Sequence, residues 1–576
     1  MRKVKTGECK GRVASRFARV AATRGAAENR QPDTTRARMR FSFAPIALAL
    51  SIALASCSAP APRADDRRAL DAIDTVVVIY AENRAFDNLF GLFPGANGIP
   101  GVNPSAIGAV VPQVDRDGAP MATLPPSWGG LTAANQTTTV TQAQTLGMPN
   151  RPFPIDGANA IAGTGVAVPL EVATRDLVHR YYNNIMQIDG GRNDRFAAYS
   201  DAGGLTMGYY DGSRLAMWQV ARRYTLADNF FMGAFGGSFL NHQYLVCACI
   251  PEYPNADAAG SPARNSISQI ETDAQGRFVR LVPADDAASS ALAGAPRYRL
   301  DGTLTAKDAS GVFHAVNTMQ PPYQPSNIAP AAGADPRYGD PAAATTLPAQ
   351  TLATIADRLD AKGVSWAWYG GAWKAASAGT PEARAIIYKG AVQFQAHHQP
   401  FNYFAAFDPA ARGAYRAAHL RDFDSEFLAD AGAGRLPAVS FYKPQGNLNQ
   451  HPGYANVSDG DAHIAGVVAA LEKSPQWPRM LVVVTYDENG GFWDHARVPK
   501  GERWGPATRV PAIIVSPLAR KGFVDRTPYD TGSILRFITR RWNLAPLPGV
   551  ELRDRALAAN GEAPMGDLSA ALEPPR

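Results

Sequence analysis

Cysteine is scarce in this chain: Cys9, Cys57, Cys247 and Cys249 are the only four in 576 residues. A disulfide-stapled scaffold is excluded, and so is a cysteine-built zinc site, which needs a second pair. Cys247 and Cys249 stand two apart, a poor spacing for a local disulfide, and read as two small buried residues in an apolar helix. Histidine is also sparse at nine, so its clusters carry information. Net positive charge is missing from most of the chain, although the total is +6. Residues 1–40 hold twelve Lys or Arg against three acids, and from Cys57 onward 45 basic residues face 48 acidic ones. The basic character belongs to the leader, which removes the electrostatic case for nucleic acid binding.

The leader contains one uncharged apolar stretch, "FSFAPIALALSIALAS", before Cys57. It is too short to cross a bilayer comfortably and matches a signal h-region. Its end, Leu54-Ala55-Ser56-Cys57, resembles a bacterial lipobox, in which Cys57 is acylated and tethers the protein to a membrane. Ser58 after it favours the outer membrane by analogy. Ordinary cleavage beside an incidental cysteine is the alternative. Residues 1–38 are unlike a signal peptide, and Met39 is the expected start. The expected product is exported: a periplasmic or outer-membrane lipoprotein, or a secreted protein.

The expected layout is a leader over 1–56, a tether over 57–73, a catalytic domain over 74–548 and a C-terminal tail over 549–576. Four continuous apolar runs read as strands buried on both faces: Thr75–Tyr80, Ala438–Tyr442, Met480–Tyr486 and Pro511–Ser516. A fifth, Val364–Gly370, follows a helical pattern carrying Leu352, Ile355 and Leu359, with Gly363 as its stop. "TGSILRFITRRWNL" reads as a further helix, with Thr531 or Ser533 near its N-cap. The fold class is α/β, a central mostly parallel sheet between helices. Stretches at about 96–172 and 251–350 read as loop-rich insertions that shape access to a site.

In open α/β sheets, functional groups collect past the carboxyl ends of strands. Glu82-Asn83 follow the first strand, and "DENGGFWDH", with Asp487, Glu488, Asn489, Asp494 and His495, follows the strand at 480–486. One acid pair at a strand end reads as a cap or turn. Two pairs in one sheet point to a hard divalent cation, or zinc, on carboxylates. "GGSFLNHQ" places Ser238 at a helix N-terminus, where unpaired N–H groups favour an alkoxide or phosphate. The stretch lacks the G-x-S-x-G of a serine-hydrolase elbow. A serine beside carboxylate-bound metal points to phosphoryl transfer through a phosphoserine. Helix capping alone is the bland reading of Ser238, and a structural role is the bland reading of any single histidine among His179, His242, His397, His398, His451 and His463.

The segments "ENRAFDNLFG", "QIDGGRNDRFAAYS", "DNFFMGAFGGSFLNHQ", "FQAHHQPFNYF", "YDENGGFWDH" and "RVPAIIVSPLARKGFVDRTPYDTGSILRFITRRWNL" resemble, in order, the bacterial phosphoesterase family of secreted acid phosphatases and phospholipases C. The resemblance covers about 74–548. It implies an alkaline-phosphatase-like fold and one divalent metal ion of unspecified identity. Ser238 matches the family nucleophile, and Glu82, Asn83, Asp487 and Glu488 join Ser238 as the implied metal ligands. His397, His398 and His451 match active-site histidines around the phosphate, as does His179, and His495 matches a position of unassigned role. "GGSFLNHQ", the double histidine and "TPYDTGS" resemble the acid phosphatase A-like branch. The phospholipase branch implies a Pro where this chain has Leu240 and a His where it has Thr531. The expected activity is metal-assisted hydrolysis of phosphate monoesters, with a phospholipase C as the alternative and a non-catalytic envelope lipoprotein as the remote one.

Overall fold

The computed structural model describes residues 64–157, 161 and 165–574. The leader and Cys57 lie outside them. Residues Pro62–Arg576 form one compact unit. Its centre is an eight-stranded sheet of β1 (Thr75–Ala81), β2 (Thr225–Ala227), β3 (Trp366–Gly370), β4 (Leu420–Asp422), β5 (Val439–Lys443), β6 (Met480–Tyr486), β7 (Ala512–Val515) and β8 (Phe523–Asp525). The spatial order is β8-β2-β7-β6-β1-β5-β3-β4.

The five expected strands are all present, and β1, β5 and β6 are buried along their whole length. Val76, Val77, Val78 and Ile79 are at most 1% exposed, and each such side chain contributes about 1.5–3 kcal/mol by leaving water. The run at 511–516 departs from the parallel pattern: β7 lies antiparallel to both β6 and β2. The chain between β6 and β7 contains no helix, so it re-enters the sheet from the edge it has just left. A parallel return needs a crossover long enough to carry the chain back to the opposite edge.

The expected helix before β3 is shorter than its apolar pattern. It spans Ile355–Asp360, because Thr354 and Asp357 close a capping box that leaves Leu352 outside. The helix Thr531–Arg541 starts from Asp530, with Ser533 completing the box. Both stretches flanking the expected catalytic domain carry helices as well. Residues Ala64–Asp71, inside the stretch read as a tether, form a helix whose Leu70, with Ile73 just beyond it, is fully buried. The stretch read as a C-terminal tail carries the helix Pro548–Ala559, whose Arg553 is fully buried against Asp530 and Glu502. The reading of Cys247 and Cys249 as separate thiols is also corrected: they form a disulfide. The helix ends at Cys247, and Ala248 adopts a left-handed φ of 46° that turns Cys249 back toward it.

Candidate active site

Three neighbouring strand ends build the site. In the parallel register Ala81 of β1 lies beside Tyr486 of β6, so Glu82 and Asp487 leave the sheet at one level. On the other flank of β1 the last residue of β5 is Lys443. Asn83 has a left-handed φ of 63°, which turns the chain away just beyond Glu82. Gly490, at φ +61°, lies so close that an added Cβ would meet the Asn83 carbonyl oxygen at 2.3 Å. The helix Ser238–Cys247 approaches over these ends with Ser238 as its first residue. Gly236 permits the approach: its φ is +95°, and an added Cβ would fall 2.7 Å from the Tyr181 backbone.

Ser238 Oγ lies 3.1 Å from Asn83 Oδ1 and 3.2 Å from Glu488 Oε1. Both are acceptors, so three oxygens converge with a single hydroxyl proton among them. Glu488 Oε2 accepts the Gly490 N–H at 2.5 Å. Asp487 Oδ1 accepts the N–H groups of Glu488 at 2.8 Å and Asn83 at 3.2 Å, while its Oδ2 is buried without a hydrogen bond. Glu82 Oε2 accepts from Asn449 Nδ2 at 2.7 Å and the Tyr454 hydroxyl at 3.1 Å. Its Oε1 faces Lys443 Nζ at 2.9 Å and touches His398 Nε2, neither with hydrogen-bond alignment. An oxygen-rich set with under-protonated, unpartnered atoms fits a hard divalent cation or zinc.

The electrostatics follow from burial. Asp487 and Glu488 are wholly buried, and burial pushes their carboxyls up to about 7 and about 8. Burial also raises Glu82, but the His398 and Lys443 charges outweigh it and hold this carboxyl well below the usual range. Burial lowers His179, yet Glu488 and Asp176 reverse that and draw it to about 9. His242 and His397 are pushed well below their ordinary value by burial, and His451 is lowered for the same reason.

All the expected site residues fall in one cluster. His179 Nε2 stands 3.4 Å from Asn83 Nδ2 and 3.7 Å from Glu488 Oε1. Its ring meets that of His451 edge-on at 5.5 Å, and His451 stacks on Tyr454. His398 stacks on His242 at 5.3 Å, and His397 Nδ1 pairs with the Tyr388 hydroxyl at 3.0 Å. A cavity of about 740 Å³ opens onto Ser238, His179, His397 and His451. His242, which the sequence placed near Ser238 without a role, hydrogen-bonds through Nδ1 to the Ser238 carbonyl at 2.8 Å. His463 is elsewhere, against the Tyr442 hydroxyl.

Sequence reasoning missed Lys443, Asn449 and Tyr454. Lys443 follows the run Ala438–Tyr442 directly, so inspecting that strand end would have found it. It also missed what ties the loops together. His495 Nδ1 and N–H both meet Asp87 Oδ2, at 2.7 and 2.9 Å. Arg509, fully buried, reaches Asp494 at 3.0 Å and Asp87 at 3.1 Å, and donates to the carbonyls of Asp228 and Asn97. This network joins the loop after β6 to the segment after β1. It includes the triad Asp87, Asp494 and His495, one of three acid–histidine groups close enough to hold a cation among the described residues. Arg509 supplies the counter-charge there instead. The other two groups are Glu82 with His242 and His398, and Asp176 with His179 and His451.

A serine on a helix N-terminus, above carboxylates at the carboxyl edge of an α/β sheet, is the arrangement that hydrolysis of phosphoric esters calls for. Comparison with known sequences then places it: the chain belongs to the phosphoesterase family, whose model matches residues 73–545. It is similar to phospholipase C A of Mycobacterium tuberculosis, 23% identical over 512 residues, which is 84% of this chain and 75% of that protein. It is also similar to non-specific phospholipase C6 of Arabidopsis thaliana, 33% identical over 158 residues. That match spans 22% of this chain and only 30% of the plant protein. Among solved structures it is similar to a protein in the alkaline phosphatase superfamily from Vibrio parahaemolyticus. That match has 10% identity and a TM-score of 0.26 over 62% of this chain and 64% of that one. Among the described residues no helix is long and apolar enough to cross a membrane.

Proposed function

We propose that the protein is an acid phosphatase that hydrolyses phosphate monoesters through a phosphoserine on Ser238, assisted by one divalent metal ion. The observation that carries this reading is Ser238 Oγ at the floor of the cavity, at a helix N-terminus and 3.2 Å from the Glu488 carboxylate. Glu82, Asn83, Asp487, Glu488 and Ser238 would hold the ion, which when bound supplies positive charge for the serine alkoxide and the phosphoryl oxygens.

The chain's own groups do the rest. With the ion bound Glu488 would stay ionised, and it accepts the Ser238 proton at Oε1 as Oγ attacks phosphorus. The unpaired N–H groups of the Ser238–Cys247 helix and the His179 imidazolium stabilise the equatorial oxygens. His451 protonates the departing alcohol. Water then attacks the phosphoserine and gives a proton to His451, while Ser238 leaves with the proton held by Glu488, releasing phosphate.

His451 also rationalises an acid preference. Its Nδ1 is occupied by the Pro452 carbonyl at 2.6 Å, so it donates to a leaving group from Nε2 only as the doubly protonated ring. Burial disfavours that form, and lowering the pH restores it.

A phospholipase C is the second reading, favoured by the names of the curated relatives. The acid phosphatase reading rests on "GGSFLNHQ", His397-His398 and "TPYDTGS". Phosphate release from an aryl phosphate, set against phosphocholine release from phosphatidylcholine, decides between them. Ser238→Ala should abolish turnover of both while leaving the circular dichroism spectrum intact, and full activity in that variant refutes the nucleophile assignment. Lipid attachment at Cys57 is a separate proposal, tested by metabolic labelling with palmitate in wild type and Cys57→Ala.

A further inference from the structure

A second cavity, also of about 740 Å³, takes no part in the proposed chemistry. It shares no lining residue with the cavity over Ser238. The segment 179–182 divides the two: His179 and Arg180 line the first, Tyr181 and Tyr182 the second. Arg180 seals the partition, held by the Asp301 carboxylate at 2.5 Å and the Gly302 carbonyl at 2.9 Å. The insertion at 251–350 supplies one wall through the hairpin of Ile270–Thr272 and Phe278–Leu281, whose Ile270 and Phe278 line the space.

The interior is apolar. The helix Tyr181–Ile188 offers Tyr181, Tyr182 and Ile185, the segment before Ser238 offers Phe235, and the loop before β7 offers Val498. Tyr181 donates its hydroxyl to the Arg503 carbonyl at 3.1 Å, so that polar tip is already bonded. The rings form no slot for a flat ligand: Tyr182 and Phe278 are tilted by 33°, and Tyr181 meets Tyr182 edge-on. A flexible chain suits such walls better than a ring. The mouth is cationic. Arg277, Lys307, Lys500 and Arg503 stand around it against two acids, and both acids are committed. Glu502 is held by buried Arg553 at 2.6 and 2.8 Å, and Asp308 by Arg503 at 3.1 Å and His314 at 3.2 Å. Lys500 is exposed, and among the described residues its ammonium makes no hydrogen bond or ion pair; the neighbouring Glu562 is taken by both arms of Arg497. Arg277 and Lys307 are engaged in surface pairs with Asp273 and Asp257, which hold weakly.

We propose that this cavity is a binding site for a long-chain carboxylate: the acyl chain lies against Tyr182, Ile185 and Phe278, and the carboxylate meets Lys500 at the mouth. Cavities of roughly 300–1,000 Å³ suit one small molecule. Burial of the chain supplies the affinity, since each methylene leaves water, and the surplus of cations selects the sign of the head. The site is independent of the phosphatase reading, because no residue of the metal cradle or of the cavity over Ser238 lines it.

Laurate, kept below its micelle-forming concentration, is titrated into the full chain by calorimetry, with octanoate and dodecyltrimethylammonium for comparison. Wild type should bind one laurate, octanoate should bind at least tenfold more weakly, and the cationic amphiphile should not bind. Saturating vanadate, a phosphate mimic directed at Ser238, should leave the laurate constant unchanged. Lys500→Glu should weaken laurate at least fivefold, and Phe278→Ala at least tenfold. Absence of laurate binding in wild type overturns the proposal, and so does displacement of laurate by vanadate or equal binding of the cationic amphiphile. Lys500→Glu that binds laurate as tightly as wild type overturns it too. If Phe278→Ala loses its native circular dichroism, the surface variant Lys500→Glu decides alone.

Discussion

Removing the Arg509 guanidinium tests whether the network beneath the site holds the two active loops in place. In Arg509→Met the apolar stem is kept and the charge is lost. Asp494 and Asp87, 0% and 2% exposed, then face each other without the cation that bridges them. His495 remains on Asp87 but not on Asp494. Breaking a buried ion pair by deleting one partner costs about 3–5 kcal/mol, because the other charge stays buried. The carbonyls of Asp228 and Asn97 lose a donor as well. For a unit spanning Pro62–Arg576, at roughly 2 cal/mol/K of unfolding entropy per residue, this is a fall in Tm of about 4 °C. The assay is thermal unfolding of the variant beside Asp494→Asn and the double variant. The double variant should recover part of the loss, since an amide tolerates burial without a counter-charge. The reasoning is refuted if Arg509→Met melts within 1 °C of wild type, or if the two changes simply add.

The other predictions concern the site more directly. Gly490→Ala forces a Cβ against the Asn83 carbonyl at a φ of +61°, and should lower kcat at least tenfold with a small change in KM, read by steady-state kinetics. His451→Asn should remove the acid limb of the pH profile. In wild type the protonated ring grows as pH falls, so kcat should rise toward acid with a midpoint below about 6.5, and the variant should lose that rise along with a factor of about 10²–10⁴. Reduction of the Cys247–Cys249 disulfide should cost no more than about 2 kcal/mol, because the loop it closes is very short, and denaturant titration with and without reductant measures it.

The parts of the fold visible in the sequence are those that local pattern encodes. Val76–Tyr80 and Leu481–Val484 are unbroken apolar runs, and a strand buried on both faces leaves that trace. The three-residue strands Thr225–Ala227, Leu420–Asp422 and Phe523–Asp525 left none, since no periodicity develops over so few positions. Arg553 sits between Val550 and Leu557 on the buried face of its helix, where an arginine breaks the apolar pattern, and its distant partners Asp530 and Glu502 account for it. In the site, the acidic strand ends were legible because the rule about carboxyl edges named where to look. Lys443 sat under the same rule and was passed over because the search was for metal ligands. Tyr454 reaches Glu82 across 372 residues and Arg509 reaches Asp87 across 422, contacts that no local pattern records.

The helix Pro548–Ala559 bears on the order in which the molecule completes itself. Arg553 donates to the Gly233 carbonyl at 2.6 Å, across 320 residues of sequence, and also holds Asp530 at the start of the helix packed against the Ser238 helix. A ribosome that has released the nucleophile loop has not yet supplied the cation that pins it. A chain halted before residue 553 carries Ser238 and every carboxylate of the cradle, yet leaves the Gly233 carbonyl without this donor and Asp530 with Arg536 alone. The support of the nucleophile loop is thus completed only when this helix has been made and docked.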